Sequence, residues 1–282
     1  MGQIKIVTDS TADLTPALIK EFNINVIPLK VLIGDNVYRE GVDITPAKFY
    51  ELLAQCDKLP TTSQPSPGEF IELYQELTAD GSSVISIHIS GQMSGTVQTA
   101  NIAKNTLAER DITVVDSKLV CMALGLVVLA AARAAREGQS KEQILAKIQE
   151  VAGKVQTYFV VDTLEYLAKG GRIGKAAALV GTVLNIKPIL TIDDGMIAPF
   201  EKVRGKNKAL DRILEIGKEF SQQHQKMHCA ILHGNVLEEA IKFHKKAVSE
   251  LSYCEHVICE IGAVVGAPAG PGTIAFFFCD SE

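Results

Sequence analysis

Residues 82–116 read SSVISIHISGQMSGTVQTANIAKNTLAERDITVVD. The apolar run over 84–89 predicts a buried strand, and the apolar run over 112–116 predicts a second one. Between them, a glycine-punctuated loop over 90–96 leads into a segment, 95–107, that has the pattern of a helix. Two strands joined by a helix are typical of neighbouring parallel strands, because a parallel pair needs a long crossover connection.

The same alternation of strand and helix extends over the rest of the N-terminal half. Strands are predicted at 4–8, 26–33 and 37–39, with a hairpin turn at Gly34-Asp35, and helices are predicted to begin at Thr15-Pro16, Thr45-Pro46 and Ser66-Pro67 and to span 119–137 and 140–154. This pattern predicts a parallel sheet with helices on both faces. Ligands of such sheets gather at the carboxyl ends of the strands, so the loops Asp9-Ser10-Thr11 and 90–96 are expected on one edge.

The pattern changes beyond residue 155, where hairpins and helices are mixed. Strands are predicted at 158–162, 189–192, 196–203, 229–233, 256–261 and 273–278, helices at 164–169, 175–184, 207–224 and 237–251, and a tight glycine-rich loop at 262–272. The predicted fold class is α/β with two domains. Residues 1–155 form an N-terminal parallel-sheet α/β domain, and residues 156–282 form a C-terminal α+β domain.

Composition excludes several classes of protein. The chain has 282 residues, a net charge of −5 and no dominant basic run, so nucleic acid is not an expected partner. The longest apolar run, 119–132, is too short for a bilayer, which needs roughly 20 residues. The chain begins directly with a strand, and its six cysteines form no Cys-x-x-Cys pair. We therefore expect reduced thiols and a cytoplasmic protein.

One hydroxyl-rich segment stands out at 60–65, Pro-Thr-Thr-Ser-Gln-Pro. The two prolines stiffen this segment, so the hydroxyls of Thr61, Thr62 and Ser63 are candidates to bind a carboxylate or phosphate. The alternative is a linker that ends in the helix-capping box of 66–69. That alternative accounts for Ser66 but not for three consecutive hydroxyls.

A second hydroxyl-rich segment lies at a predicted strand-to-helix junction and contains Ser94, Gly95 and Thr96. Ser94 is interpreted as a helix N-cap that also donates a hydrogen bond to an anion. Two alternatives stay open, a plain N-cap and a hydrolase nucleophile with His88 or His233 as its base. The nucleophile-elbow spacing is not met, because the first glycine stands three residues before Ser94 instead of two.

Arg172 lies in the glycine-rich segment Lys-Gly-Gly-Arg-Ile-Gly at 169–174. Its guanidinium is a candidate partner for a carboxylate, and the alternative is a helix C-cap with a solvated arginine. The run 202–208 holds four positive charges in seven residues, which suits a phosphorylated ligand, an anionic lipid or an acidic partner, or else a solvated turn.

The spacing of a few histidines and a cysteine does not match a known metal site. His224, His228 and Cys229 stand close together in the sequence, but His228 opens a predicted strand and no zincin glutamate is present. No metal and no cofactor are therefore expected.

Taken in order, the motifs resemble the DegV family, whose members bind fatty acids. The resemblance covers nearly the whole chain and rests on Val7-Thr8-Asp9-Ser10-Thr11-Ala12-Asp13-Leu14, Thr62-Ser63-Gln64-Pro65-Ser66-Pro67-Gly68-Glu69-Phe70, Ser94-Gly95-Thr96, Gly170-Gly171-Arg172-Ile173, Asn185-Ile186-Lys187-Pro188-Ile189-Leu190, Asp194-Gly195, Lys202-Val203-Arg204 and Gly270-Pro271-Gly272. It implies a two-domain α/β protein with a lipid between the domains. It also implies similarity to the fatty-acid-binding subunit (FakB) of bacterial fatty acid kinase.

In that system a separate, dihydroxyacetone-kinase-like subunit phosphorylates the bound acid, and the binding subunit is a carrier without catalysis of its own. The resemblance implies that Thr61, Thr62 and Ser94 hold the carboxylate, with Arg172 in the supporting network. It implies that Arg204 lies on a surface that meets a partner or, transiently, the membrane.

The chain departs from the family pattern at Pro268, where family members often carry histidine two residues before Gly-Pro-Gly. If that histidine serves phosphoryl transfer in the family, this chain binds a fatty acid without serving a kinase. Two other hypotheses stay open: an enzyme, either a serine acyl hydrolase or a small kinase, and a lipid-sensing regulatory protein without a kinase partner.

Overall fold

The computed structural model describes residues 3–181, 186–224, 226–251 and 255–280. The strands are β1 (Ile4–Asp9), β2 (Asn25–Ile27), β3 (Lys30–Ile33), β4 (Asn36–Arg39), β5 (Thr61–Ser63), β6 (Ser83–His88), β7 (Ile112–Asp116), β8 (Gln156–Val160), β9 (Ile186–Asp193), β10 (Met196–Arg204), β11 (Met227–His233), β12 (Glu255–Glu260) and β13 (Ile274–Asp280). The α-helices are α1 (Pro16–Glu21), α2 (Pro46–Leu53), α3 (Pro67–Thr78), α4 (Thr96–Thr106), α5 (Met122–Arg136), α6 (Lys141–Lys154), α7 (Glu165–Lys169), α8 (Lys206–Ser221), α9 (Leu237–Glu250) and α10 (Ala263–Ala269), and Ser10–Ala12 and Gly174–Leu179 are 3-10 helices.

The N-terminal sheet is parallel, as the alternation of strands and helices predicts. Its strand order is β2-β1-β6-β7, and every neighbouring pair runs parallel. Helix α3 buries Phe70 and Tyr74, and α4 buries Ala100, against one face of the sheet. Helix α5 packs on the other face, which carries Ile85 and Ile87. The predicted parallel sheet with two covered faces is confirmed.

Three helix starts follow the local signals in the sequence. Thr15, Thr45 and Ser66 each accept a hydrogen bond from a backbone N–H of the first turn, and a proline stands at the first helical position. Ser66 and Glu69 form the predicted capping box. Short-range capping therefore sets these boundaries.

The predicted single strand over 26–33 is wrong. The chain forms β2 in the parallel sheet and then β3 in a separate antiparallel sheet of order β4-β3-β5. Pro28 stands between the two strands and has no N–H for a ladder, so the chain changes sheet there. The predicted hairpin at Gly34-Asp35 joins β3 and β4, and Thr61–Ser63, predicted as a loop, is the edge strand β5.

The C-terminal sheet has six strands in the order β10-β9-β8-β13-β11-β12, antiparallel except for the pair β11–β12. Helices α8 and α9 cover one face. The opposite face, which carries Phe159 and Phe277, shares a hydrophobic core with α5. The two sheets therefore bury apolar surface against one another through this helix. A domain boundary between residues 155 and 156 stays a prediction; β8 begins at Gln156.

Two further predictions in the C-terminal half need correction. The segment 262–272, predicted as a loop, contains α10. The helix predicted over 175–184 is a 3-10 helix over Gly174–Leu179, and 182–185, with Asn185 of the quoted motif, lie outside the described residues. Within the described part of the chain, no helix is both long and apolar enough to cross a membrane.

Candidate functional site

A cavity of about 870 Å³, partly open to solvent, lies between the two halves of the chain. Its walls are mainly apolar and come from the N-terminal loops, the inner face of the C-terminal sheet and α10: Leu29, Ile89, Val120, Cys121, Phe159, Leu167, Ile192, Ile197, Ile261, Val264, Val265, Pro268, Ala269, Ala275 and Phe277. The mainly apolar lining is typical of a site for a small hydrophobic molecule.

Five of the polar residues that line this cavity lie at one side of it. The hydroxyls of Thr62, Ser63 and Ser94 line it together with Gln64, and Arg172 is the one charged residue among the described lining residues. An apolar chamber with hydroxyls and a single cation suits an amphiphile that carries one negative charge.

Arg172 is exposed at this side and is fixed by two backbone carbonyls. Its Nε donates to the Met93 carbonyl at 3.3 Å and one terminal nitrogen donates to the Gly170 carbonyl at 2.7 Å. Met93 belongs to the loop after β6, so this hydrogen bond joins the two halves of the chain beside the cavity. The remaining N–H groups of the guanidinium are available to a carboxylate.

The loop after β6 presents Ser94 at the start of α4. The N-cap position is Gly95, one residue later than the predicted N-cap Ser94, and no side chain of the described residues caps the helix. Ser94 Oγ instead hydrogen-bonds with the buried Thr96 hydroxyl at 2.8 Å. A side chain on Gly95 would come within 2.7 Å of Gln64 Nε2, so the glycine allows the loop to approach β5 closely.

The three hydroxyl residues of strand β5 do not all face the main cavity. Thr62 and Ser63 line the cavity, whereas Thr61 lines only an adjoining pocket of about 650 Å³. This second pocket also contains Lys169 and shares Thr62, Arg172 and Pro268 with the main cavity. Thr61, Thr62 and Ser63 are thus near one another, but Thr61 does not face the main cavity.

Helix α10 forms one wall, and buried carboxyl groups hold its beginning. Asp13 Oδ1 accepts the Gly262 N–H at 3.1 Å, and Glu40 Oε1 accepts the Val264 N–H at 2.8 Å. Within the described ranges, the second oxygen of each carboxyl is buried and makes no hydrogen bond of normal geometry. Burial, reinforced by the nearby Glu40, raises the pKa of Asp13 to about 8, and burial also raises the pKa of Glu40.

A serine, a histidine and an aspartate do meet in this chain, but in the core. Ser86 Oγ lies 2.7 Å from His88 Nε2, and His88 Nδ1 lies 2.9 Å from Asp9 Oδ2. All three residues are fully buried, Tyr74 donates to the same Ser86 oxygen, and none of them lines the cavity. A nucleophile must reach its substrate, so we interpret this network as structural.

The hydrolase hypothesis requires His88 or His233 to lie next to Ser94. His88 is instead bonded to Ser86 and Asp9. His233 is buried in β11, where desolvation lowers its pKa, and it does not line the cavity. Neither histidine is positioned to activate Ser94.

In the basic segment 202–208, some charges are paired with acidic side chains and others are exposed. Lys206 forms ion pairs with Asp162 at 3.2 Å and Glu239 at 2.9 Å, whereas Arg204 is exposed at the end of β10. Arg204 is outside the cavity lining. In the described ranges, no group of three or more His, Cys, Asp or Glu side chains could hold a metal ion.

Several lining residues were missed by sequence reasoning. Val264 and Val265 enter through α10, and Thr157 enters through the inner face of β8. A helix made of small residues between glycines carries no strong local signal. Strand alternation could have marked Thr157, because it shares a face with Phe159.

Comparisons with known proteins find relatives that are described as fatty-acid-binding proteins. The family model that matches is DegV ("Uncharacterised protein, DegV family"), over residues 3–281. The chain is similar to a fatty-acid-binding DegV family protein of Thermus thermophilus, at 35% identity and a TM-score of 0.93 over 99% of both chains. It is also similar to DegV of Bacillus subtilis, a fatty acid binding protein, at 36% identity and a TM-score of 0.91 over 100% of both chains.

A stearic-acid-binding protein of Eubacterium ventriosum is 28% identical, with a TM-score of 0.89, and the match covers 99% of this chain and 98% of that protein. The family model and these relatives match the chain over nearly its whole length. The chain belongs to the DegV family.

Proposed function

We propose that this protein binds a long-chain fatty acid in the cavity between its two halves. The observation that carries the proposal is an apolar chamber whose hydroxyls lie beside a single arginine. The carboxylate would accept hydrogen bonds from Thr62, Ser63, Ser94 and Arg172, and the acyl chain would lie along the inner face of the C-terminal sheet. Each buried CH₂ group contributes about 0.8 kcal/mol before the costs of association, so the tail supplies most of the affinity.

The other residues that the sequence predicts for the site lie around the head-group residues without contacting the carboxylate themselves. Gly95 and Thr96 fix the loop that presents Ser94. Thr61 lines the adjoining pocket, where it would meet a group transferred to the carboxylate. The proposed ligand is the fatty acid alone, without a further cofactor.

We further propose that the bound acid is presented to a separate, dihydroxyacetone-kinase-like subunit and becomes an acyl phosphate. The adjoining pocket supports this, because it opens next to the head-group residues and carries Lys169, whose charge suits phosphate. Exposed Arg204 would contact the partner or, transiently, an anionic membrane surface. A kinase that uses ATP implies a cytoplasmic location.

Mass spectrometry of the purified protein, native and after organic extraction, tests the binding function. We expect a stoichiometric long-chain fatty acid. The double variant Thr62→Ala/Ser94→Ala loses hydrogen bonds to the charged carboxylate. Each lost hydrogen bond should lower the affinity for stearate about tenfold or more. A matched control, Thr106→Ala/Ser249→Ala, removes two hydroxyls from exposed helix positions and should bind like the wild type. Unchanged retention by the first variant would falsify the head-group assignment.

Pro268 favours a second candidate, a lipid-sensing carrier without a kinase. It lies inside α10, lines both pockets and packs against Gly170, where a Cβ would come within 3.0 Å of its ring. Proline offers no donor to a transferring phosphoryl group. Incubation of the fatty-acid-loaded protein with a fatty acid kinase subunit and ATP decides between the two candidates. Formation of acyl phosphate by the wild type supports presentation to a kinase. Formation of acyl phosphate by the Pro268→His variant alone supports the lipid-sensing carrier.

A further inference from the structure

Gln64 is a polar residue of the cavity to which the proposed function gives no role. It directly follows strand β5, its side chain is exposed, and it lines the cavity together with Thr62 and Ser94. Its amide carries two N–H donors, and among the described residues no hydrogen bond involves this amide. The amide can therefore donate to a ligand without giving up a bond within the chain.

Gln64 and Arg172 contact the two sequence neighbours of Ser94. A Cβ on Gly95 would come within 2.7 Å of Gln64 Nε2 and 3.1 Å of Gln64 Cδ, so the amide lies against the residue that follows Ser94. Arg172 Nε donates to the carbonyl of Met93, the residue that precedes Ser94. A carboxylate beside Ser94 therefore has the guanidinium next to it on the Met93 side and the Gln64 amide on the Gly95 side.

Two of the hydroxyls near Gln64 already have partners in the chain. Ser63 Oγ donates to the Gln64 backbone carbonyl at 3.1 Å, and Ser94 Oγ shares a hydrogen bond of 2.8 Å with Thr96 Oγ1. Because a hydroxyl has a single proton, Ser63 must change its partner to bind a carboxylate, and the Ser94–Thr96 pair has one proton left for it. The Gln64 amide adds donors that these hydroxyls lack.

The backbone on both sides of this contact favours the position of the amide. Strand β5 pairs with β3 up to Ser63, which lies opposite Lys30. Pro65 follows Gln64 directly and restricts it to an extended conformation. Gly95 has an ordinary φ of −72°, so its backbone conformation does not require glycine. What glycine provides here is the space that the Gln64 amide occupies.

We infer that Gln64 is a further head-group residue of the cavity, and that its Nε2 donates to the carboxylate beside Ser94 through the space left by Gly95. The inference rests on the proposed function and adds a residue to its binding site. Arg172 supplies a charged donor and Gln64 a neutral one, so the carboxylate keeps a single countercharge and gains a hydrogen bond. A neutral ester accepts a weaker bond at the same place, so Gln64 should matter more for the acid.

Titration calorimetry of the delipidated protein with stearate tests this inference in a double-variant cycle. Gln64→Ala should lower the affinity about tenfold. Gly95→Ala should lower it by a similar factor, because the new Cβ displaces the amide, and should stay folded, because the end of a flexible side chain can move aside. The variant with both changes should bind no more weakly than Gln64→Ala alone, since the added Cβ then meets no amide.

Gln64→Glu gives a second readout, because it keeps the size of the side chain and replaces the donor with a negative charge. At neutral pH its affinity for stearate should fall below that of Gln64→Ala, whereas its affinity for methyl stearate should match that of Gln64→Ala. Gln98→Ala and Gln98→Glu make the same changes at an exposed position of α4 outside the cavity lining. Both control variants should bind the two ligands like the wild type.

Wild-type affinity of Gln64→Ala for stearate, or effects of Gln64→Ala and Gly95→Ala that simply add, would overturn the inference while leaving fatty acid binding intact. An equal loss of affinity for stearate and methyl stearate in Gln64→Glu would also overturn it, because a distorted cavity and not a lost head-group contact would then be the cause. A wild-type protein that binds no fatty acid would overturn the inference together with the proposed function.

Discussion

Asp13 places a carboxyl group in a fully buried environment crowded with other acidic groups. It interacts electrostatically with Glu40, Asp9, Cys121, Cys259 and Tyr50. Among the described groups, the Gly262 N–H and the Cys121 side chain favour its charged form. Its pKa of about 8 lies above the ordinary value of 3.8. The folded chain therefore keeps a proton that the unfolded chain loses as the pH rises from about 4 to about 8.

This proton makes the free energy of unfolding fall over that pH range. Asp13→Asn does not titrate, keeps an oxygen for the Gly262 N–H and tolerates the left-handed backbone at this position, φ 50°. We expect the variant to be more stable than the wild type at pH 9, on the order of a few kcal/mol, with the difference shrinking towards pH 4. Urea unfolding at several pH values measures this. Asp57→Asn, an exposed control, should follow the wild type, and parallel curves for Asp13→Asn would contradict the argument.

The guanidinium of Arg172 presents several N–H donors in one plane to the cavity. The single ammonium of a lysine cannot reproduce this arrangement. Two of its N–H groups are committed to the Met93 and Gly170 carbonyls. In Arg172→Lys a single ammonium cannot keep both bonds and also bind a carboxylate, so affinity for stearate should fall about tenfold. Calorimetric titration compares this variant with Arg204→Lys, which makes the same substitution outside the cavity and should bind normally. Equal affinities of the two variants would remove Arg172 from the head-group network.

At the scale of elements, local sequence signals predicted the helices and strands whose boundaries are set by interactions between residues close together in the chain. The parallel strands and the three proline-led helices were predicted because periodicity and caps lie within a few residues of one another. Strand β5 and helix α10 were not predicted. The first exists through pairing with β3, and the N-terminus of the second is held by Asp13 and Glu40, more than two hundred residues earlier in the chain.

Helix α10 depends on a close approach to α2. A Cβ on Gly266 would lie 2.9 Å from Phe49 Cε1 and 2.8 Å from the Tyr50 hydroxyl, and both aromatic residues are buried. Gly266→Ala should therefore lower the free energy of unfolding by about 1–3 kcal/mol and weaken fatty acid binding, since α10 carries Val264 and Pro268 into the cavity.

A matched substitution should have the opposite sign. A Cβ added to Gly153, in α6, would meet no atom within 4 Å beyond its own stretch of helix, so Gly153→Ala gains helix propensity of roughly 0.5–1 kcal/mol. Denaturant unfolding of both variants gives the comparison. A Gly266→Ala variant as stable as Gly153→Ala would show that α10 can move away from α2 at no cost.

At the scale of the whole molecule, the cavity exists because two halves of the chain meet. Ser90 Oγ donates to the Gly195 carbonyl at 2.8 Å, and Lys118 pairs with Asp194, so the loops of one half hold the β9–β10 hairpin of the other. The sequence indicated Thr62, Ser63, Ser94 and Arg172, which the structure brings to one cavity. It could not predict the depth of the cavity or the place of Thr157, because both follow from how the halves pack.

A ligand buried between two halves should stabilise the whole fold. Acid at a hundred times its dissociation constant contributes about 2.7 kcal/mol by mass action, which corresponds to a rise in Tm of roughly 5 °C for a chain of this size. We expect delipidated protein to melt lower by about this amount and to recover with added stearate in a calorimetric scan. The methyl ester, which has the same tail but no charge for Arg172, should restore less. If delipidation leaves Tm unchanged and added acid does not raise it, then the cavity does not bind the acid at all, since any ligand selective for the folded state must shift the unfolding equilibrium.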